Sequence, residues 1–110
     1  IAAIQKRVED QKEFFVAIGN ADAYLTPTTP MLPVPLDELS EDETPARFTR
    51  PGNYLNMCGI SVPGKVSKTN LPTALQILCR PDKEALALRI AAAYEAERGA
   101  LADPPGFASI

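Results

Sequence analysis

Residues 60–79, ISVPGKVSKTNLPTALQILC, contain two short apolar runs that are separated by a polar connector. The runs are Ile60–Val62 and Ala74–Cys79, and the connector carries Gly64 and Asn70. Short apolar runs bounded by Pro, Gly and Asn are typical of strands, because those bounding residues favour turns. The stretch therefore predicts two neighbouring antiparallel strands.

A helical pattern lies on each side of this pair in the sequence. Residues 1–18 repeat apolar side chains every three to four positions with charged residues between them, and Gly19-Asn20 is a suitable stop. The apolar positions of this first helix are Ile1, Ile4, Val8, Phe15 and Ile18. Asp82 is placed to cap a second helix, from Lys83 to Arg98. The predicted buried stripe of the second helix is Leu86, Ile90, Ala93 and Tyr94.

The middle of the chain is dominated by proline. Residues 23–26 predict a short strand that Pro27 ends, and the run TPTTPMLPVP at 26–35 predicts an extended, rigid loop, because proline lacks a ladder donor. Residues 37–43 carry five acids and predict a solvated surface loop. A short helical turn is predicted from Asn53 to Cys58. Two helices and three short strands indicate an α/β fold, as at one edge of a larger sheet.

Composition excludes several classes of function. The net charge is −3 and the eleven basic residues form no stripe, which argues against nucleic-acid binding. No apolar stretch approaches the roughly 20 residues of a membrane span. The chain has no histidine, the commonest general base and metal ligand. The acidic run lacks the spaced pattern of a calcium loop, so we expect no metal site.

The two cysteines, Cys58 and Cys79, admit two interpretations. They could pair if their strands are neighbours. The sequence shows no export signal, which favours a reducing cytoplasmic setting with two free thiols that serve as small buried hydrophobes. A nucleophilic role is disfavoured because no histidine is available to activate a thiol.

Several segments, in order, resemble the amidase-signature family. DAYLTPTTP at 22–30 is similar to that family's Asp-x-x-Leu-x-Pro-Thr-x-Pro segment. ISVPG at 60–64 resembles its Ile-Ser-Val-Pro strand, and LPTALQI at 71–77 resembles its Gly-Leu-Pro-x-Gly-Leu-Gln-Ile stretch. The spacing of Thr49, Asn53 and Pro63 and the closing helix also fit. The chain departs from the pattern at several positions where the family commonly has glycine, namely Asn56, Asn70, Ala74 and Cys79, and at Cys58-Gly59, where the family has Pro-Ala.

The resemblance implies a fold and an activity. It implies that residues 1–110 are the C-terminal portion of a single amidase domain, a mixed β-sheet flanked by helices, with residues 102–110 as a loose tail. Members of the family hydrolyse amides with a Ser–cis-Ser–Lys triad in a Gly/Ser-rich region that precedes this segment. Nothing in the chain matches that region, so no catalytic residue and no cofactor are carried over.

The resemblance also implies a pocket wall. Thr28, Thr29, Met31 and Asn53 are the candidate substrate-binding residues. The alternative for the first three is a rigid proline connector. Thr49 and Asn53 could either orient substrate or satisfy loop backbone, and the second is favoured because Thr and Asn often bond to nearby backbone.

The implied function is hydrolysis of a small-molecule amide by the full-length enzyme, in which this segment partners its own N-terminal amidase portion. A homodimer is left open, and neither nucleic acid nor a membrane is expected as a partner. Within the family the rivals are the amidotransferase subunit that frees ammonia from glutamine for tRNA-linked amidation, and allophanate-hydrolase-like enzymes. From another class, the rival is a non-catalytic binding or scaffold module.

Overall fold

A computed structural model describes residues 1–42, 44–104 and 106–107. Three helices and three strands follow one another, with a single 3₁₀ turn at Leu36–Glu38. In chain order they are α1 (Ala2–Ile18), β1 (Tyr24–Pro27), α2 (Arg50–Tyr54), β2 (Cys58–Pro63), β3 (Ala74–Cys79) and α3 (Glu84–Arg98). No helix of the described part is long and apolar enough to cross a membrane.

The three strands form one antiparallel sheet in the order β1-β3-β2. The predicted pairing of the two strands in residues 60–79 is confirmed, with Ile60 opposite Ile77. Strand β1 pairs with the other side of β3, and Thr26 lies opposite Gln76. These strands pair only antiparallel, so the mixed sheet expected of the whole fold stays a prediction about strands outside this set.

One face of the sheet packs against α3 and forms the core. Its fully buried members are Val62, Ile77, Cys79, Ala87 and Ala91. Leu86, Ile90 and Tyr94 pack against this cluster as predicted, but Ala93 is exposed. The prediction was wrong there because Ala91 already occupies the buried line four residues after Ala87, and a residue two positions further points away from it.

Helix α3 starts differently from the prediction. Asp82 does not cap it, since Lys83 is the N-cap and no side chain caps the first turn. Asp82 instead has φ 62°, in the left-handed region that Asp and Asn tolerate better than most residues. A capping residue needs an extended backbone, so the turn after Pro81 uses the aspartate for its backbone freedom rather than for its carboxylate.

Two boundaries in the middle of the chain also differ from the prediction. The helical turn lies at Arg50–Tyr54, not from Asn53 to Cys58, because Pro51 suits the first turn and Asn56 ends it with φ 54°. Cys58 then opens strand β2. Pro27 belongs to β1 instead of ending it, which an edge strand permits.

Helix α1 is held by polar contacts rather than by burial. Arg7 donates to the Tyr54 carbonyl at 2.5 Å and Gln11 to the Leu55 carbonyl at 2.5 Å. Its apolar residues remain in solvent, with Ile4 68% and Val8 44% exposed. The predicted acidic loop and loose tail lie partly outside the described residues, namely at 43, 105 and 108–110.

Candidate substrate-binding groove

A groove of about 650 Å³ lies where β1 ends and β3 begins. Its rim is made stiff by five prolines, whose rings fix the backbone: Pro27, Pro30, Pro33, Pro45 and Pro72. Four larger apolar side chains complete the lining: Met31, Leu32, Val34 and Leu39. The extended proline loop predicted at 26–35 thus curls into the wall of a cavity.

Thr28 is fixed in this wall from two directions. Its amide donates to the Ala74 carbonyl at 3.1 Å, which extends the β1–β3 ladder by one residue. Its hydroxyl lies 2.7 Å from the hydroxyl of Ser61 on β2. The side chain therefore crosses the face of β3, on the opposite side of the sheet from α3.

Thr29 and Met31 form a tight local turn beside it. The Thr29 hydroxyl donates to the Met31 carbonyl at 2.9 Å, a side-chain-to-backbone bond two residues along the chain. This bond shapes the loop, and both side chains line the groove.

Asn53 lies apart from the other three candidates. It is an exposed residue of α2 and does not line the groove. Its backbone carbonyl accepts from Arg7 at 3.3 Å, so the residue takes part in docking α1. The Thr49 hydroxyl donates to the Ala46 carbonyl at 3.2 Å, which is the backbone role favoured for it.

The sequence analysis missed the residues that hold the groove together. Pro45, Pro72 and Thr73 line it from segments remote in sequence. Gln76, only 6% exposed, donates to the Thr26 hydroxyl at 2.9 Å and to the Phe48 carbonyl at 2.7 Å. An amide in the middle of an apolar strand was the available signal, because a buried polar group requires partners.

The described lining contains no charged side chain. It offers apolar surface, threonine hydroxyls and backbone, which suits a neutral ligand group rather than an ionic one. No cluster of three potential metal ligands occurs among residues 1–42, 44–104 and 106–107. Ser40 is the one serine in the lining, and no lysine accompanies it there, so the described groove can bind but holds no nucleophile–base pair.

Comparison with known proteins gives one consistent result. The chain is 42% identical over 91 residues to the A subunit of a glutamyl-tRNA(Gln) amidotransferase of Myxococcus xanthus, a match that covers 79% of this chain and 19% of that protein. It is 37% identical over 91 residues to a fatty acid amide hydrolase of Medicago truncatula, covering 74% of this chain and 15% of that protein. No family profile matches the chain.

The fold leads to the same relatives. The crystal structure of the corresponding glutamyl-tRNA(Gln) amidotransferase protein from Thermotoga maritima superposes with a TM-score of 0.72 at 33% identity, over 81% of this chain and 20% of that one. The chain thus spans about one fifth of the length of the relatives it matches. It belongs to the amidase-signature family, as a homologue of a C-terminal segment of these proteins.

Proposed function

We propose that this chain is the C-terminal part of an amide hydrolase, and that its groove forms part of the wall around the substrate's acyl group. The proposal takes residues 1–110 as part of one amidase domain, with the Ser–cis-Ser–Lys set supplied by the remainder. It also takes the enzyme to be cytoplasmic, with a small-molecule amide as its substrate.

The observation that carries the proposal is the uncharged groove bounded by Thr28, Thr29 and Met31. An acyl group is neutral and largely apolar, and its burial gains about 25 cal/mol for each Å² removed from water. Stiff proline walls lose little conformational entropy when a ligand binds, so more of that gain is retained. The same features would be of no use to a ligand that needs ionic recognition.

The test uses the full-length protein and a series of aliphatic amides of increasing chain length. Met31→Ala removes three heavy atoms from the wall, which costs about 1.5 kcal/mol, or roughly tenfold in kcat/KM for the longer amides. Leu88→Ala is the matched control, because Leu88 is 59% exposed on α3 and lies outside the groove. If both variants lose activity equally, or neither does, the groove is not a substrate wall.

A second candidate function is supported by the name that several relatives carry, which is that of the A subunit of glutamyl-tRNA(Gln) amidotransferase. A protein of that kind would act on glutamine and would assemble with other subunits. Comparing kcat/KM for glutamine with that for a neutral aliphatic amide separates the two candidates. A full-length protein that is folded but inactive on both substrates would instead favour the scaffold alternative.

A further inference from the structure

Cys58 and Cys79 lie directly opposite each other in the β2–β3 ladder. Directly opposite residues of antiparallel strands share a face of the sheet, with Cα atoms about 4.5–5.5 Å apart. A disulfide needs a Cα separation of about 4.4–6.8 Å and side chains on the same side. The backbone of this pair therefore already meets the requirement, although both thiols are free in the structure.

The two thiols differ in environment. Cys79 is in the core with 0% exposure, while Cys58 is only partly buried at the start of an edge strand. The Cys58 thiol donates to the Arg80 carbonyl at 3.3 Å and lies 3.8 Å from the Cys79 carbonyl oxygen, so its sulfur sits against the end of β3. Burial, and then the nearby Cys58, raises the pKa of Cys79. Cys58 is thus the thiol that a soluble oxidant reaches first.

We propose that Cys58 and Cys79 form a modification site for hydroperoxide, which converts them to a reversible cross-strand disulfide. In the first step the Cys58 sulfur attacks one peroxide oxygen, the O–O bond breaks, and Cys58 sulfenic acid and one water form. In the second step the Cys79 sulfur attacks the Cys58 sulfur and displaces hydroxide, which leaves as a second water. The balance is two thiols and one hydrogen peroxide to one disulfide and two waters.

The position of the bond gives the modification a structural consequence. It would tie the edge strand β2 to the central strand β3 beside Arg80, whose guanidinium donates to the Gly19 carbonyl at 2.6 Å at the end of α1. Pairing would also protect Cys58 from further oxidation, because a disulfide has no thiolate left to react. The inference does not depend on the activity of the enzyme, and its test needs no substrate.

The experiment treats the full-length protein with hydrogen peroxide, blocks the remaining thiols, and maps tryptic peptides by mass spectrometry. Lys65 and Lys68 lie between the cysteines, so trypsin separates residues 48–65, which carry Cys58, from residues 69–83, which carry Cys79. We expect a linked pair of these two peptides that disappears on reduction with dithiothreitol. The yield of the pair should be independent of protein concentration, as for a bond within one molecule.

Two single variants test the order of the steps. In Cys79→Ser, peroxide should leave Cys58 as sulfenic acid, which dimedone traps, and in Cys58→Ser the buried Cys79 should remain a free thiol. If Cys79→Ser does not fold, the wild-type peptide map still decides the question. The proposal is overturned if peroxide leaves both wild-type thiols free, carries Cys58 to sulfinic acid without linkage, or links it only between molecules.

Discussion

Replacing Gln76 by leucine should loosen the support of the groove more than any change on the groove surface. The Gln76 amide nitrogen is the one described donor to both the Thr26 hydroxyl, at 2.9 Å, and the Phe48 carbonyl, at 2.7 Å. The first bond joins β3 to the edge strand β1, and the second joins the sheet to the segment that precedes α2. Leucine has a similar size but can make neither bond.

The magnitude follows from these two bonds. Each contributes about 1 kcal/mol net, and the Phe48 carbonyl left without its partner adds about 1 kcal/mol where water cannot reach it. The apolar surface that leucine buries offsets part of this loss. We therefore expect Gln76→Leu to destabilise the sheet by about 2 kcal/mol, a roughly thirtyfold increase in the population of open states.

Hydrogen–deuterium exchange of the full-length protein measures this change locally. Peptides from β1, β3 and residues 44–49 should exchange roughly thirtyfold faster in Gln76→Leu, because amide exchange reports the free energy of local opening. Ser61→Ala is the control, since Ser61 lies opposite Gln76 on β2 but bonds only to the Thr28 hydroxyl. Equal exchange in Gln76→Leu and wild type would refute the assignment of Gln76 as the support of the groove.

Two further predictions concern the attachment of α1. Arg80→Met removes the bond to the Gly19 carbonyl and the guanidinium over the Phe15 ring, 5.0 Å from its centroid, and should destabilise the end of α1 by about 2 kcal/mol, seen as faster amide exchange there and not in α3. Hydrogen bonds from Lys6 and then Tyr54 lower the pKa of Asp10 below 3.8, so its contribution to docking is present above pH 3.8 and is lost as the pH falls through the lower folded value. A carboxyl ¹³C titration of Asp10 at or above 3.8 would contradict that contact.

The sequence was sufficient for elements whose pattern is local and repeated. The strands in residues 60–79 and the helix at Glu84–Arg98 are marked by apolar periodicity and by bounding Pro, Gly and Asn. It failed where a residue serves the backbone rather than the pattern, as at Asp82, whose left-handed φ cannot be distinguished from a helix cap in sequence alone.

The candidate site was predicted only in part for a related reason. Thr28, Thr29 and Met31 are close in sequence and share the groove wall, so one motif found all three. Asn53 lies elsewhere because α2 begins three residues before the predicted turn and faces α1. Gln76 and Pro45 reach the site through β-pairing and chain reversal, and such long-range contacts leave no periodic trace in the sequence.

The alternation of side chains along the strands separates stability from binding in this segment. Ile77 and Cys79 point toward α3 and close the core, while Gln76 between them points to the other face, where Thr28 and the groove lie. The groove can therefore vary with little effect on the core. The outer strands β1 and β2 each have an unpaired edge within the described sheet, and α1 leaves Ile4 and Val8 in solvent. Such surfaces are costly in isolation, and they fit a chain that spans one fifth of its relatives.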